Sequence, residues 1–190
     1  KDIIRAKSDY VARFDTEQNY FQQANPELQA TLRPELKANL DDLAKHYNAT
    51  AQLNKSVADY ARAAELYQKQ LALATDSSDQ VRIRELLSEA LYNAAEYPRA
   101  IAVFEALAYG QPRSQNPQNA GYFALLSYQA RMKQLPAEQQ RAWLDQQKDS
   151  TLRYADAFAG DKSTVPALLA ISSQYLDLKD YTMVSGLAER

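Results

Sequence analysis

The chain has 190 residues, 46% of them hydrophobic and 24% charged, with a formal net charge of -2. That composition supports a buried core and excludes disorder, and the absence of a concentrated basic face argues against nucleic-acid binding. With no cysteine, disulfides, thiolate metal sites and cysteine nucleophiles are excluded, and no apolar run is long enough to span a bilayer as a helix. The chain opens at Lys1 without a methionine, which is compatible with removal of a leader, and stops at Arg190 just inside a new helix, so it is expected to be a fragment of a longer protein.

Helix formers dominate, and β-branched residues are sparse. The apolar spacing of Ile3, Ile4, Tyr10, Val11, Phe14, Tyr20 and Phe21 predicts a helix over 3–23. Asn25-Pro26 has the form of a helix cap followed by a first-turn proline, and Pro34 restarts or kinks that segment. A long helix is expected over 35–55, with Leu36, Leu40, Leu43, Tyr47 and Ala51 on one stripe. Helices follow over 59–74, 81–94 and from Tyr97, the first two parted by Asp76-Ser77-Ser78-Asp79. The Pro-, Gln- and Asn-rich stretch 110–119 is the weakest joint. Beyond it, helices are expected over 120–133, 137–158 (closed by Gly160) and 165–178, with a last one opening at Tyr181. No strand pattern and no domain boundary is evident.

One phrase recurs. Asp59-Tyr60-Ala61-Arg62-Ala63 and Glu96-Tyr97-Pro98-Arg99-Ala100 are both acidic-Tyr-x-Arg-Ala, and each is followed one turn later by an aromatic, Tyr67 or Phe104. Asp180-Tyr181 begins the phrase a third time. Ala51, Ser88 and Ser172 are small residues placed ahead of these openings. Small residues let antiparallel helices approach to about 8–10 Å. A helix pair cannot bury its own apolar face, so such units stack.

On these residues the chain resembles the tetratricopeptide repeat (TPR) family. The resemblance implies an all-α superhelix of antiparallel helix pairs over 35–188, with units near 44–75, 81–112, 120–158 and 165–190, after an N-terminal helical segment 1–34. It is closest over 44–112, while 120–158 has an overlong second helix and lacks the tyrosine opening. The segments Tyr10-Val-Ala-Arg-Phe14 and Leu43-Ala-Lys-His-Tyr47 are loosely similar to the leading parts of bacterial envelope-associated TPR proteins. That likeness implies a periplasmic or envelope location, with the cytoplasm as the alternative.

Family members bind partners on the face formed by the first helix of each pair. Carried over, that face comprises Asn48, Gln52, Lys55, Arg82, Glu85, Glu89, Tyr92 and Asn93, then Phe123, Ser127, Arg131 and Ser173. The competing reading of these polar residues is an ordinary solvated helix face. The lysine–asparagine clamp that some members use on a C-terminal carboxylate is missing.

Catalytic equipment is not evident. His46 is the only histidine and has just Asp42 on its helix face, short of the convergent ligands a metal needs. Asp41 and Asp42 are adjacent and point about 100° apart, so they do not converge as acid and base. The four glycines form no phosphate loop. Asn48-Ala-Thr50 and Asn54-Lys-Ser56 match the glycosylation triplet but lie on an expected helix. Most of the thirteen tyrosines have core spacing, and Trp143 fills a gap or caps a groove in the irregular third unit.

The expectation is therefore a non-catalytic module, without cofactor or metal, that holds a protein or peptide in a groove. The alternative is a regulatory or substrate-recruiting module of an enzyme whose catalytic part lies outside this chain. Self-association through exposed repeat ends is a further expectation, because an unpaired last helix leaves its neighbour's apolar face open.

Overall fold

A computed structural model describes residues 2–15, 21 and 23–189. The described residues form nine helices and no strand: α1 (Asp2–Phe14), α2 (Pro26–Asn54), α3 (Val57–Leu73), α4 (Ser77–Asn93), α5 (Tyr97–Tyr109), α6 (Pro117–Met132), α7 (Ala137–Ala157), α8 (Thr164–Asp177) and α9 (Tyr181–Ala188). They group into two compact units, 1–96 and 97–190. The parting falls after Glu96, between the two helices of the expected 81–112 unit, rather than at the loop 110–119.

In the first unit, α2 packs on α1 and α3, and α3 packs on α4. The core joins Val11 and Phe21 to Leu36, Leu40, Leu43 and Leu73, flanked by Ile4, Tyr10, Leu32, Tyr47 and Leu66. The expected helix over 3–23 stops at Phe14; Tyr20 lies outside the described residues. Asn25 caps α2, its side chain accepting from the Leu28 N–H, and Pro26 takes the first turn as expected. Pro34 does not restart the helix. It sits inside an unbroken α2, where a proline costs about 3 kcal/mol. Burial of Leu36, Leu40 and Leu43 just beyond it, each worth about 1.5–3 kcal/mol, outweighs that loss.

In the second unit, α5 packs on α6, α6 on α7, α7 on α8, and α8 on α9. One cluster joins Leu125, Tyr154 and Ala167; another joins Leu144, Ile171, Tyr175 and Leu187. Gly121 of α6 lies against Tyr154 and Phe158, where a Cβ would stand 2.8 Å from the Tyr154 ring.

The recurring phrase keeps its burial but not its place in the helix. Ala63, Ala64, Tyr67 and Gln70 of α3 are buried, as are Ala100, Ile101, Phe104 and Leu107 of α5, at matching positions of the repeat. Ala51 and Ser88 are buried too, whereas Ser172 is only half-buried. Yet α3 begins at Val57, capped by Ser56, so Tyr60 lies a turn inside it, while Tyr97 and Tyr181 are first residues.

The turns before α3, α5 and α9 share one construction. Lys55, Ala95 and Lys179 take left-handed φ values of 51°, 58° and 57°. The next residue's N–H then reaches back five positions: Ser56 to the Ala51 carbonyl, Glu96 to Leu91, Asp180 to Tyr175, at 3.1, 2.9 and 2.9 Å. This is the bond that closes a Schellman-type helix end. The first turn comes one helical turn earlier in the repeat than the other two, with the buried faces unchanged.

Candidate functional site

The side chains expected to bind a partner divide between the units. Asn48, Gln52 and Lys55 lie on and at the end of α2; Arg82, Glu85, Glu89, Tyr92 and Asn93 lie on α4. An ion pair between Lys37 of α2 and Asp79 of α4 ties these helices. Asp79 also accepts from Arg82 at 2.6 Å. The Lys37 ammonium, then the Arg82 guanidinium, hold the Asp79 carboxyl below its ordinary pKa. The Arg82 guanidinium is thus already engaged within α4, on the carboxylate that ties α4 to α2.

Gln52, Glu85, Glu89 and Asn93 are exposed, while Asn48 and Tyr92 are half-buried. The Asn93 side-chain amide donates to the Glu89 carbonyl at 2.9 Å. Lys55 is exposed on its left-handed turn. Beneath this face lies Tyr67 of α3, 1% exposed. Burial first, then the nearby Asp41 and Glu89 carboxylates, raise its hydroxyl pKa, against a lowering by Arg82.

In the second unit the expected positions do not act together. Ser127 must be withdrawn: it is fully buried, and its hydroxyl donates to the Phe123 carbonyl at 2.7 Å. A helical serine can turn its hydroxyl back onto the preceding turn and occupy a core position. Phe123 is partly exposed, its ring stacked on Phe104 at 5.6 Å. Arg131 is half-buried and bonds Gln134 at 3.3 Å. Ser173 is exposed on α8, alongside the exposed aliphatics Val165, Leu169 and Leu176.

The other sequence candidates separate as their spacing requires. Asp42 pairs with Lys7, whereas Asp41 pairs with Lys45 at 2.5 Å, so the adjacent carboxylates serve different partners. His46 is exposed beside Tyr47, and no cluster of three metal-ligating side chains occurs among the described residues. Trp143 donates from its ring nitrogen to the Tyr128 carbonyl at 2.9 Å and packs on the Tyr128 ring at 5.1 Å. Tyr154 and Tyr175 are core residues whose hydroxyls donate to Asp161 and Asp145, at 2.9 and 2.6 Å. Tyr181, by contrast, is 64% exposed.

Sequence reasoning missed an open trough in the second unit. Two adjoining clefts of about 590 and 270 Å³ share Asp149 and Arg153 of α7. Glu105 and Tyr109 of α5, Tyr128 of α6 and further residues of α7 also line them. The Arg153 guanidinium lies 3.9 Å over the Tyr109 ring and 3.6 Å from the Glu105 carboxylate. Ser150 donates to Glu105 at 2.7 Å. Burial, then the Glu105 charge, push both Tyr109 and Tyr128 up to about 12. The one available signal was the spacing of Asp149, Ser150, Arg153 and Asp156 on one face of α7.

No protein-family model matches this sequence, and neither a curated protein nor a solved structure matches it.

Proposed function

We propose that this chain is a TPR-like solenoid whose function is to bind another protein, on the face formed by α2 and α4. The observation that carries the reading is the pairing of those helices by Lys37 and Asp79, with Gln52, Glu85, Glu89 and Asn93 left at the surface. Stacked helix pairs bring every second helix side by side. Ties of that kind recur in the second unit, from Glu105 of α5 to Ser150 of α7 and from Arg141 of α7 to Asp180 at the start of α9. Buried Ala51, Ala63, Ser88 and Ala100 are the small residues that close helix crossings need. A periplasmic or envelope-associated setting is part of the proposal and rests on the N-terminal resemblance.

Arg82 is engaged by Asp79, the residue that ties α4 to α2, so the test leaves it in place. A photo-cross-linker placed at Gln52 or Glu89 in the intact protein should capture one defined partner in cells. Combined Glu85→Lys and Glu89→Lys should reduce that capture about tenfold, as expected when hot-spot contacts are lost. Helical circular dichroism and melting temperature should stay unchanged. Unchanged capture, or unfolding of the variant, would remove α2 and α4 as the binding face.

A further inference from the structure

The outer side of α8 is short of charge. Asp177, its last residue, is the only charged residue of the helix, whereas a helix with one face in water ordinarily carries charges along that face. Ala167, Ile171 and Tyr175 are buried against the rest of the second unit. On the outer side Val165, Leu169 and Leu176 are 63, 65 and 51% exposed. Among the described residues, five of the ten exposed large apolar side chains fall within 165–181, the other two being Leu178 and Tyr181. Single exposures are ordinary, but such a cluster marks an interaction surface. At about 100° per residue, Val165, Leu169, Ser172 and Leu176 share an arc of about 60°. Their steps of four, three and four residues are those of a coiled-coil seam.

We propose that this stripe is a self-complementary interface on which α8 of a second copy of the chain packs antiparallel. The seam fits itself in that direction. With Val165 set against Leu176 of the second copy, Leu169 meets Ser172, and two-fold symmetry repeats both contacts. The leucine fills the space that the small residue leaves. The Ser172 hydroxyl already donates to the Leu168 carbonyl at 2.8 Å, so it can face an apolar neighbour without losing a hydrogen bond.

Charge sets the direction. Lys162 lies two residues before α8 and Asp177 ends it, and both are exposed. Neither forms an ion pair with another described residue, and Lys162 exerts only a minor pull on the Asp161 carboxyl. Parallel pairing would set lysine against lysine at one end and aspartate against aspartate at the other. Antiparallel pairing brings each Lys162 to the Asp177 end of the other copy and opposes the two helix dipoles. Lys179 stands past the helix, on the left-handed turn into α9, so Asp177 is the charge that closes the seam.

Size sets the strength. Fourteen residues give α8 a length of about 21 Å and a face about 10 Å wide. One such face per copy is well below the area of a standard interface, about 800 Å² per partner, so the contact belongs to the weak, reversible class.

Sedimentation equilibrium of the full chain from about 1 to 500 μM should therefore show monomer passing to dimer and no larger species. Leu169→Glu, at an exposed position, should raise the dissociation constant about tenfold or more with helical circular dichroism unchanged. Lys162→Glu and Asp177→Lys should each weaken the dimer about fivefold, two rim pairs being lost and replaced by repulsion. An equimolar mixture of those two variants should recover wild-type affinity, because every rim pair in the mixed dimer is again of opposite sign.

A chain that stays monomeric throughout the range overturns the inference. So does a dimer that Leu169→Glu leaves intact, which would lie on another surface. A mixture of the two charge variants that associates no better than either alone overturns the antiparallel arrangement. None of these outcomes bears on cross-linking from Gln52 or Glu89, so this interface and the α2–α4 face stand or fall separately.

Discussion

Gly121→Ala tests how closely α6 and α7 are packed. In an exposed helix interior this exchange stabilises by about 1 kcal/mol, because alanine loses less backbone freedom on folding. At Gly121 the new Cβ would lie 2.8 and 3.1 Å from two Tyr154 ring carbons and 3.2 Å from Phe158. The Tyr154 ring is held at both ends, by its own helix and by the hydroxyl bond to Asp161, and is 1% exposed. It has no room to yield. Overpacking of such a site costs about 1–3 kcal/mol, enough to reverse the helix gain.

The expected outcome is a net loss of up to about 2 kcal/mol, or a melting point up to about 8 °C lower for a chain of this size. Gly186 of α9, with nothing within 4 Å of its Cβ direction, supplies the opposite sign. Gly186→Ala should stabilise by about 0.5 kcal/mol. Calorimetry on both variants decides the matter. If Gly121→Ala melts at or above the wild-type temperature, the close approach is wrong. Tyr154→Leu adds a cross-check: with the ring gone, the loss on placing alanine at 121 should shrink, Phe158 alone remaining 3.2 Å away.

Ser56→Ala removes the side-chain acceptor for the Asp59 N–H at the start of α3 and should cost about 1 kcal/mol, read from chemical denaturation. Ala51→Leu places three more carbons at a fully buried site and should destabilise by about 1–3 kcal/mol, with Ala49→Leu on the exposed side of α2 near neutral. In alkali, Tyr109 and Tyr128 are raised from 10.0 to about 12 in the folded state. Stability from these groups is complete below about pH 10 and is lost as pH rises toward 12, so denaturation midpoints should fall over that interval. Tyrosinate absorbance should show a late-ionising class that Tyr109→Phe reduces. In acid the sign reverses. Asp79, Asp161 and Asp180 have lowered pKa values, from the Lys37 pair, the Ser163 N–H and the Arg141 pair respectively. Their contribution is present at neutral pH and disappears as the carboxyls protonate below their ordinary value of 3.8, which melts across that range would reveal.

Helix identity was legible because periodic apolar residues report directly on which face is buried, and the matched burial of Ala63, Tyr67, Ala100 and Phe104 follows that signal. Helix starts were read two to four residues late at α3, α4 and α6. Caps decide starts, and Ser56 and Asp76 bind backbone N–H groups ahead of the first apolar residue. Asn25 and Asp180 were readable because proline or tyrosine follows them at once. Ser127 was misread as a surface residue because its polarity is satisfied within its own helix. The Glu105–Arg153 trough was invisible because it joins residues of α5 and α7 that no local pattern connects.

The left-handed residues at Lys55, Ala95 and Lys179 bear on the chain's four glycines, none of which has a positive φ. A side chain in that region costs about 1–2 kcal/mol relative to the right-handed one. Glycine would avoid most of that strain but would give the unfolded chain more conformations to lose, a penalty of about 0.4–1 kcal/mol. The relief exceeds the penalty by about 0.5–1 kcal/mol, so exchanging these residues for glycine should raise the melting point by a few degrees at most. Torsion at the turns therefore tolerates a side chain at modest cost, while spacing at Gly121 is strict. The turn that ends a helix can shift by one helical turn between repeats, as it does between Lys55 and Ala95, because it is fixed by backbone bonds and not by a particular amino acid.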